Sequence, residues 1–239
     1  MPVCQVEVVA STVEDVLAAA KGGADRVEFC AHLPSGGLTP GRTLVEAGLE
    51  VARDKGLGFR VLVRPREGGF LYSEAERKAI VAEAEACLAL GVDRVVTGAL
   101  DASGLIDRRL LSDLDAAVGL DRVVFHRAFD EAVDHVVARQ QLLDAGIGTV
   151  LTSGAKATAM DGVETIGASV ASGLTVVAGA GVQPDHVSAI MAVGVEAIHA
   201  SCRIPFSGAK GRLFDVGHTC VGPELVQALV MSVASADRP

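Results

Sequence analysis

The sequence GADRV, residues 23–27, recurs in modified form along the chain and indicates its fold. Its variants are GVDRV at 91–95, GIGTV at 146–150 and GVEAI at 194–198. Each variant follows an alanine- and leucine-rich stretch and runs from a glycine to a β-branched residue. A glycine in this place is typical of a helix C-cap, and β-branched residues favour strands. The repeat therefore predicts helices that each lead through a glycine into a strand.

Weaker versions of the same pattern fill the gaps between these four. They are GFRV at 58–61, GLDRV at 119–123 and GLTV at 173–176, and the chain opens on a strand-like CQVEVVA at 4–10. The count is eight strands, with units that recur about every 28 residues, as a strand–helix–strand crossover requires. Eight near-equal units favour a closed (β/α)8 TIM barrel over an open sheet. We expect one domain over residues 1–239, with a long loop 203–221 after strand eight and a frayed C-terminus 235–239.

Composition and charge narrow the class of protein. The 239 residues are 50% hydrophobic but only 3% aromatic, which suits strands buried under helices. The formal net charge of −9 argues against nucleic acid and anionic membranes as partners. No apolar run reaches the roughly 18 residues of a membrane span. Five scattered cysteines without a C-x-x-C pair indicate reduced thiols, so we expect a cytoplasmic protein.

Polar residues gather where the predicted strands end, which is where a barrel of this kind carries its functional groups. The set is Glu7, Glu28, Cys30, Arg64, Arg66, His126, Asp130, Thr152, Ser153, Gly179, Gly181, His199, Ser201 and Cys202. Because side chains alternate along a strand, Arg64 should share a face with Arg66, and His199 with Ser201. We therefore predict that two acids, two arginines and two histidines converge at one mouth. The alternative is a set of structural ion pairs.

These residue types suit proton transfer on a small anionic compound. Arg64 and Arg66 would clamp a carboxylate or phosphate. His126, oriented by Asp130 or by a glutamate, would act as general acid or base.

The other residues of the set would complete such a site. Glu7 or Glu28 would be the second proton-transfer group, and His199 would complete the catalytic set. Hydroxyl and amide donors would come from the strand ends at Thr152, Ser153, Gly179, Gly181 and Ser201. The reaction would be of the isomerase or lyase type, and a barrel that only binds its ligand is a further alternative. No motif for an organic cofactor is present.

A series of short motifs resembles the CutC family of copper homeostasis proteins. In order they are ADRVEFC, GGLTP, RPR, YS, TGAL, FHRAFD, LTSG, AGAGV and HAS, over about residues 3–201. The resemblance implies a cytoplasmic (β/α)8 barrel that is linked to copper tolerance, binds copper and forms dimers or larger oligomers. The positions that match the family pattern are Glu7, Glu28, Cys30, Arg64, Arg66, His126, Asp130 and His199.

The resemblance also implies a copper(I) site. Copper(I) prefers thiolate and then imidazole ligands, so Cys30, His199 and Cys202 are the candidate ligands. The chain departs from the family pattern at two places. Val9 stands where a cysteine is common, which weakens a thiolate site. RPREGGF at 64–70 replaces RPRGGDF, so that Glu67 and Gly69 stand in for a glycine and an acidic residue.

Overall fold

The computed structural model describes residues 4–206 and 218–237, and its centre is a closed parallel barrel. Each strand pairs with its neighbours in sequence, and the eighth strand pairs with the first. The strands are β1 (Gln5–Ala10), β2 (Arg26–Phe29), β3 (Gly58–Leu62), β4 (Arg94–Thr97), β5 (Val123–Phe125), β6 (Thr149–Thr152), β7 (Thr175–Gly179) and β8 (Ala197–Ala200). The predicted (β/α)8 barrel is therefore confirmed.

An α-helix follows every strand. The helices are α1 (Val13–Gly22), α2 (Arg42–Lys55), α3 (Glu74–Ala89), α4 (Arg108–Val118), α5 (His135–Ala145), α6 (Val163–Ala171), α7 (Val187–Met191) and α8 (Pro223–Ala236). Within the described ranges, none of them combines the length and the apolar character that a bilayer crossing requires.

Three glycines of the repeated pattern, Gly23, Gly119 and Gly146, are helix C-caps as predicted, whereas Gly58 opens β3 and the C-cap of α2 is Gly56. Gly23 caps α1 with φ 86°, and Gly146 caps α5 with φ 93°. The amide of Gly23 donates to the carbonyls of Ala19 and Ala20, which would otherwise lack partners at the helix end. A side chain at this φ would be strained, so the glycine marks where each helix stops and the next strand begins.

The barrel interior has two unlike halves. One side chain from each strand or its end forms an apolar layer inside the barrel: Val9, Cys30, Leu62, Val96, Val124, Leu151, Val177 and Ala197. Two residues before these positions the interior is polar, with Glu7, Glu28, Arg60 and Arg94 on β1–β4 and Thr149 on β6, which accepts from Arg94 at 3.0 Å. The acidic groups of this polar layer lie on β1 and β2, and β1 adjoins β8, whose His199 stands beside Glu7 in the register.

The segment after β8 departs from the expected loop. Residues 203–221 contain a two-stranded antiparallel sheet of β9 (Arg203–Pro205) and β10 (Thr219–Val221). The remainder of the predicted loop, 207–217, lies outside the described residues. The expectation of a frayed C-terminus from 235 is wrong for residues 235 and 236, because α8 continues to Ala236. Residues 238 and 239 lie outside the described range.

Candidate functional site

A pocket of about 400 Å³ opens among the C-terminal ends of the strands. Its polar lining includes Glu28 of β2, Arg64 after β3, His126 after β5 and His199 of β8. These four residues come from distant parts of the sequence and are all buried. Of the two acids, two arginines and two histidines that were predicted to converge at one mouth, one acid, one arginine and both histidines line the pocket.

Glu7 lies beside the pocket and is fully hydrogen-bonded. Its Oε2 accepts from Arg26 Nε at 2.5 Å and from Arg60 Nη1 at 2.9 Å, and its Oε1 is 2.7 Å from His199 Nδ1. Burial alone would raise the pKa of Glu7, but Arg26, the His199 hydrogen bond and Arg60 together hold it well below its usual range. Glu7 is therefore a permanent carboxylate, predicted as a site residue but placed behind His199, outside the pocket lining.

The two arginines that hold Glu7 were missed by the analysis of strand ends. Arg26 opens β2 and also pairs with Glu196 Oε1 at 2.9 Å, and Arg60 lies in the middle of β3. Strand alternation could have found them, because Arg26 lies two residues before Glu28 and therefore on the same face. Their side chains are about 7% exposed.

Glu28 differs from Glu7 in having no hydrogen bond within the described part of the chain, and its Oε2 is fully buried. Burial raises its pKa to about 7, against the opposing pull of His199, and the nearby charge of Glu7 adds to the rise. A carboxyl with this pKa exchanges its proton near neutral pH, which is what a general acid or base requires.

His199 connects the two glutamates. Ligand atoms of Glu7, Glu28 and His199 all lie within 4.8 Å of one another. Burial alone would lower the pKa of His199, but its hydrogen bond to Glu7 and the charge of Glu28 outweigh burial and raise it. Because Glu7 holds Nδ1, the ring presents its Nε2 edge away from Glu7. A bare Cβ at Gly179 would come 3.0 Å from His199 Cδ2, so the glycine makes room for this ring.

His126 is a neutral imidazole in the pocket wall. Its Nδ1 accepts from the amide of Ala128 at 3.2 Å, so the proton of the neutral ring is on Nε2. Nε2 is buried and has no partner among the described residues. Burial, together with the charge of Arg64, lowers the pKa of His126 to about 3. The expectation that Asp130 orients this ring is wrong, because the backbone of Ala128 does so.

Arg64 lines the pocket, whereas Arg66 does not. Arg64 donates to the carbonyls of Ser35, Gly37 and Gly68, and its buried Nε has no partner among the described residues. In the same described ranges it has no carboxylate partner either, so its charge is open to a ligand.

Arg66 corrects the predicted pair of clamping arginines. Its side chain is 40% exposed and pairs with Glu76 at 2.5 Å. Strand β3 ends at Leu62, and Pro65 separates the two arginines, so strand alternation no longer applies to them.

Asp130, Thr152 and Ser153 form a separate cluster with Arg127, which we call the loop cluster. Asp130 accepts from the hydroxyl of Thr152, from the amide and hydroxyl of Ser153, and from Arg127 Nε at 2.8 Å. None of the three predicted residues lines the pocket. Their hydrogen bonds join the β5 and β6 loops, an arrangement typical of a structural cluster.

Gly181 and Ser201, both predicted to bind the ligand, line the pocket. Gly181 has φ 62°, and the preceding Ala180 has φ 83°, an uncommon conformation for a residue with a side chain. Within the described ranges, the amide of Gly181 donates to no acceptor. Ser201 is exposed at the rim.

The predicted copper(I) ligands are not brought together. Cys30 and Cys202 are buried pocket residues, but among the described residues the three-ligand group is Glu7, Glu28 and His199, which includes neither cysteine. Burial raises the pKa of Cys30 to about 12 and that of Cys202 to about 11, so both keep their protons. Two carboxylates and an imidazole are hard to borderline ligands, whereas copper(I) prefers thiolates. The group formed by Glu7, Glu28 and His199 therefore does not fit a copper(I) site.

The protein is thus a (β/α)8 barrel with a partly polar pocket at the C-terminal ends of its strands. A sequence model of the CutC family matches residues 4–204. The chain therefore belongs to the CutC family.

Individual relatives agree with this assignment. A CutC family protein from Xylella fastidiosa is 38% identical over 235 residues, which cover 94% of this chain and 86% of that protein. One from Xanthomonas campestris pv. campestris is 41% identical over 204 residues, or 83% of each chain. The crystal structure of CutC from Streptococcus agalactiae, described as a candidate copper homeostasis protein, has a TM-score of 0.77 and 26% identity. That match covers 83% of this chain and 98% of the other.

Proposed function

We propose that the pocket binds a small anionic metabolite and catalyses proton transfer at a carbon next to a carbonyl group, as isomerases and lyases do. The observation that carries this proposal is Glu28, a buried carboxyl that adjoins His199 and has no hydrogen bond to any residue that the structure describes. A buried polar group without a partner is costly, and a pocket-lining one is typical of a functional site.

Arg64 supports the anionic character of the ligand. It is a buried guanidinium whose charge no described carboxylate neutralises, although the protein as a whole carries a net charge of −9. A buried cation without a counter-charge is expensive, and an anionic ligand would remove that cost. Arg64 also fixes the loops after β2 and β3, since its donors hold Ser35, Gly37 and Gly68.

The roles of the remaining groups follow from their protonation. Ionised Glu28 removes the proton from carbon, and the electron pair of that C–H bond forms the C=C bond of an enol. His199, charged and held by Glu7, gives a proton to the carbonyl oxygen. His126 donates its Nε2 proton as a hydrogen bond to the same oxygen and stabilises the developing charge. Protonated Glu28 then returns its proton to a different carbon of the conjugated enol or enediol, a hydroxyl proton goes back to neutral His199, and the isomerisation is complete.

Hydrogen exchange in D2O tests this chemistry directly. The protein is incubated with a panel of small carbonyl compounds that bear a carboxylate or a phosphate, and C–H to C–D exchange is followed by NMR. We expect exchange of at least one compound to be accelerated, with a rate that rises as the pH increases through about 7, because Glu28 must be ionised.

A pair of matched variants identifies the base. Glu28→Gln should lower the exchange rate by about a hundredfold or more. Glu46→Gln, on the surface of α2, should leave the rate unchanged. Equal rates in wild type and Glu28→Gln, or no exchange with any compound, would contradict the proposed role.

A part in copper homeostasis is carried over from the description of the Streptococcus agalactiae relative, and direct copper(I) binding is the second candidate. One observation favours it: Cys30 and Cys202 both line the pocket. Binding would require both buried thiols to lose their protons, which burial opposes.

Titration of copper(I) against a competing chelator, on wild type and on the Cys30→Ser and Cys202→Ser variants, tests this candidate. A tight site that both substitutions weaken would support it. An affinity that the two substitutions leave unchanged would remove it.

The cytoplasmic location, the homo-oligomeric state and the lack of nucleic-acid and membrane partners are parts of the same proposal. All five cysteines are thiols, which suits a reducing compartment. The dimer or larger oligomer rests on the family resemblance.

A further inference from the structure

Most of the pocket wall is apolar. Side chains without polar atoms come from the barrel interior, from the loops after β2, β3 and β7, and from α8. They include Val9, Leu33, Leu62, Leu151, Val182 and Leu225. Phe70 adds an aromatic ring, which lies 4.9 Å from the His126 ring and 5.2 Å from the guanidinium carbon of Arg64.

Few buried polar atoms of the lining are left for a ligand. In the described ranges they are Glu28 Oε2, Arg64 Nε, His126 Nε2 and Arg203 Nε, to which His199 Nε2 and the amide of Gly181 add two more unbonded donors. The charges of Arg127 and Arg203 are already paired, with Asp130 and with Asp15 at 2.8 Å through Arg203 Nη1. A ligand that matches this pocket therefore carries one anionic group, about one further oxygen at the reacting carbon, and an apolar remainder.

We infer that the substrate is a monocarboxylic acid with an aliphatic or aromatic body, and not a sugar phosphate. This inference rests on the proposed function and deepens it by naming the class of substrate. It also narrows the small anionic compound, a carboxylate or a phosphate, that the sequence alone left open.

The hydrogen-bond capacity of Arg64 supports a carboxylate. A guanidinium has five N–H donors. Three of them are used on the carbonyls of Ser35, Gly37 and Gly68. The Nε donor and one Nη2 donor remain. Two donors in the plane of a guanidinium suit the two oxygens of a carboxylate, whereas a phosphate dianion brings three charged oxygens to the same place.

The apolar wall disfavours a polyhydroxylated body. Each hydroxyl that is moved from water to this wall without a partner costs about tenfold in affinity. An aliphatic or aromatic body gains affinity from the same contacts, because its burial removes apolar surface from water.

Isothermal titration calorimetry with three probes tests the inference. Phenylacetate and gluconate are monocarboxylates of equal charge, one with an aromatic body and one with a chain of hydroxyl groups. Ribose 5-phosphate is the third probe. We expect phenylacetate to bind at least about tenfold more tightly than either of the others.

A matched pair of leucine variants shows where the apolar body lies. Leu33 is a half-buried loop residue of the pocket wall, and Leu17 is 42% exposed on α1, away from the pocket. Leu33→Ser should weaken phenylacetate binding about threefold or more and leave gluconate binding unchanged. Leu17→Ser should change neither.

The possible outcomes separate this inference from the proposed function. If gluconate or ribose 5-phosphate binds as tightly as phenylacetate, the inferred substrate class is wrong, and the anion-binding pocket stands. If Leu33→Ser and Leu17→Ser behave alike, the apolar wall does not bind the body, and the inference is also wrong. If none of the three anions binds, the inference and the anion-binding part of the proposed function are both wrong.

Discussion

Two polar clusters of the barrel differ in whether their hydrogen bonds are complete. The loop cluster around Asp130 is complete, since Thr152, Ser153 and Arg127 all donate to this one carboxylate. The second cluster, which we call the central cluster, consists of Glu7, Arg26, Glu28, Arg60 and His199. Its Glu7 is as fully bonded as Asp130, but its Glu28 has no hydrogen bond among the described residues.

The completeness of the hydrogen bonds distinguishes a structural cluster from a functional one better than residue type does. Both clusters contain acids beside arginines, and both come from motifs typical of the family. Of the two, only the central cluster has a buried pocket-lining carboxyl that forms no hydrogen bond within residues 4–206 and 218–237. A complete cluster stabilises the fold, whereas an incomplete one carries a cost in stability that a ligand would remove.

The largest effect is expected at Glu7. Glu7→Gln leaves Arg26 and Arg60 buried without their main counter-charge, so the free energy of unfolding at pH 7 should fall by about 3 to 5 kcal/mol. Urea denaturation measures this change. Glu46→Gln, whose side chain is 45% exposed, is the control and should leave stability unchanged.

The pH dependence of wild-type stability sharpens this prediction. Because folding lowers the pKa of Glu7, the stability that it contributes is fully present above the ordinary pKa of a glutamate. That contribution is lost as the pH falls toward the lowered value. A Glu7→Gln protein as stable as wild type at pH 7 would contradict the role of Glu7 as the counter-charge.

The next effect is expected in the loop cluster. Asp130→Ala removes the acceptor of several buried donors, so the free energy of unfolding should fall by about 2 to 4 kcal/mol. Ligand affinity of the folded protein should stay nearly constant, because Asp130 does not line the pocket. Asp54→Ala, at an exposed position on α2, serves as the matched control. An affinity that falls more than stability does would instead place Asp130 in the site.

Substitution of Glu28 should have the opposite effect on stability to substitution of Glu7, because the buried charge of Glu28 destabilises the folded protein. Burial raises its pKa in the folded protein to about 7, so the native state binds more protons than the unfolded state between about pH 4.5 and pH 7. Wild-type stability therefore falls as the pH rises through this window. Glu28→Gln removes the cost of the buried charge and should stabilise the protein at pH 8 by up to about 3 kcal/mol.

At pH 5 the same substitution should have little effect, because the protonated carboxyl and the amide are both neutral. Urea denaturation at the two pH values checks the difference. Destabilisation by Glu28→Gln at pH 8 would show that Glu28 is a bonded structural residue like Glu7, and the contrast within the central cluster would be lost.

The smallest effect is expected at Arg66. Its side chain is 40% exposed and pairs with Glu76 on the surface, so Arg66→Ala should lower stability by less than about 1 kcal/mol. Phenylacetate affinity, measured by calorimetry, should not change. A loss of affinity as large as that caused by Arg64→Ala would restore the predicted pair of clamping arginines.

Strand alternation predicts the direction of a side chain only within a strand, which limits how well the site can be predicted from the sequence. Glu7, Glu28 and His199 lie inside strands, and all three point into the barrel as alternation predicts, although Glu7 stays behind His199 and outside the pocket lining. Beyond the strand ends alternation no longer applies, so Arg64 and His126 line the pocket whereas Arg66 and Asp130 do not. Arg26 was overlooked because only the last residues of the strands were considered, although alternation from Glu28 places it on the same face.

The barrel can be predicted from the sequence alone, because helix caps and strand patterns depend on residues a few positions apart. The eight repeats therefore predict the eight strand–helix units, and strand alternation predicts that Glu28 and His199 point into the barrel. Which polar groups bond to each other, and which remain available to a ligand, can be seen only in the three-dimensional structure. Hydrogen-bond partners such as Glu7 and His199 stand 192 positions apart, and their pairing depends on barrel closure and register.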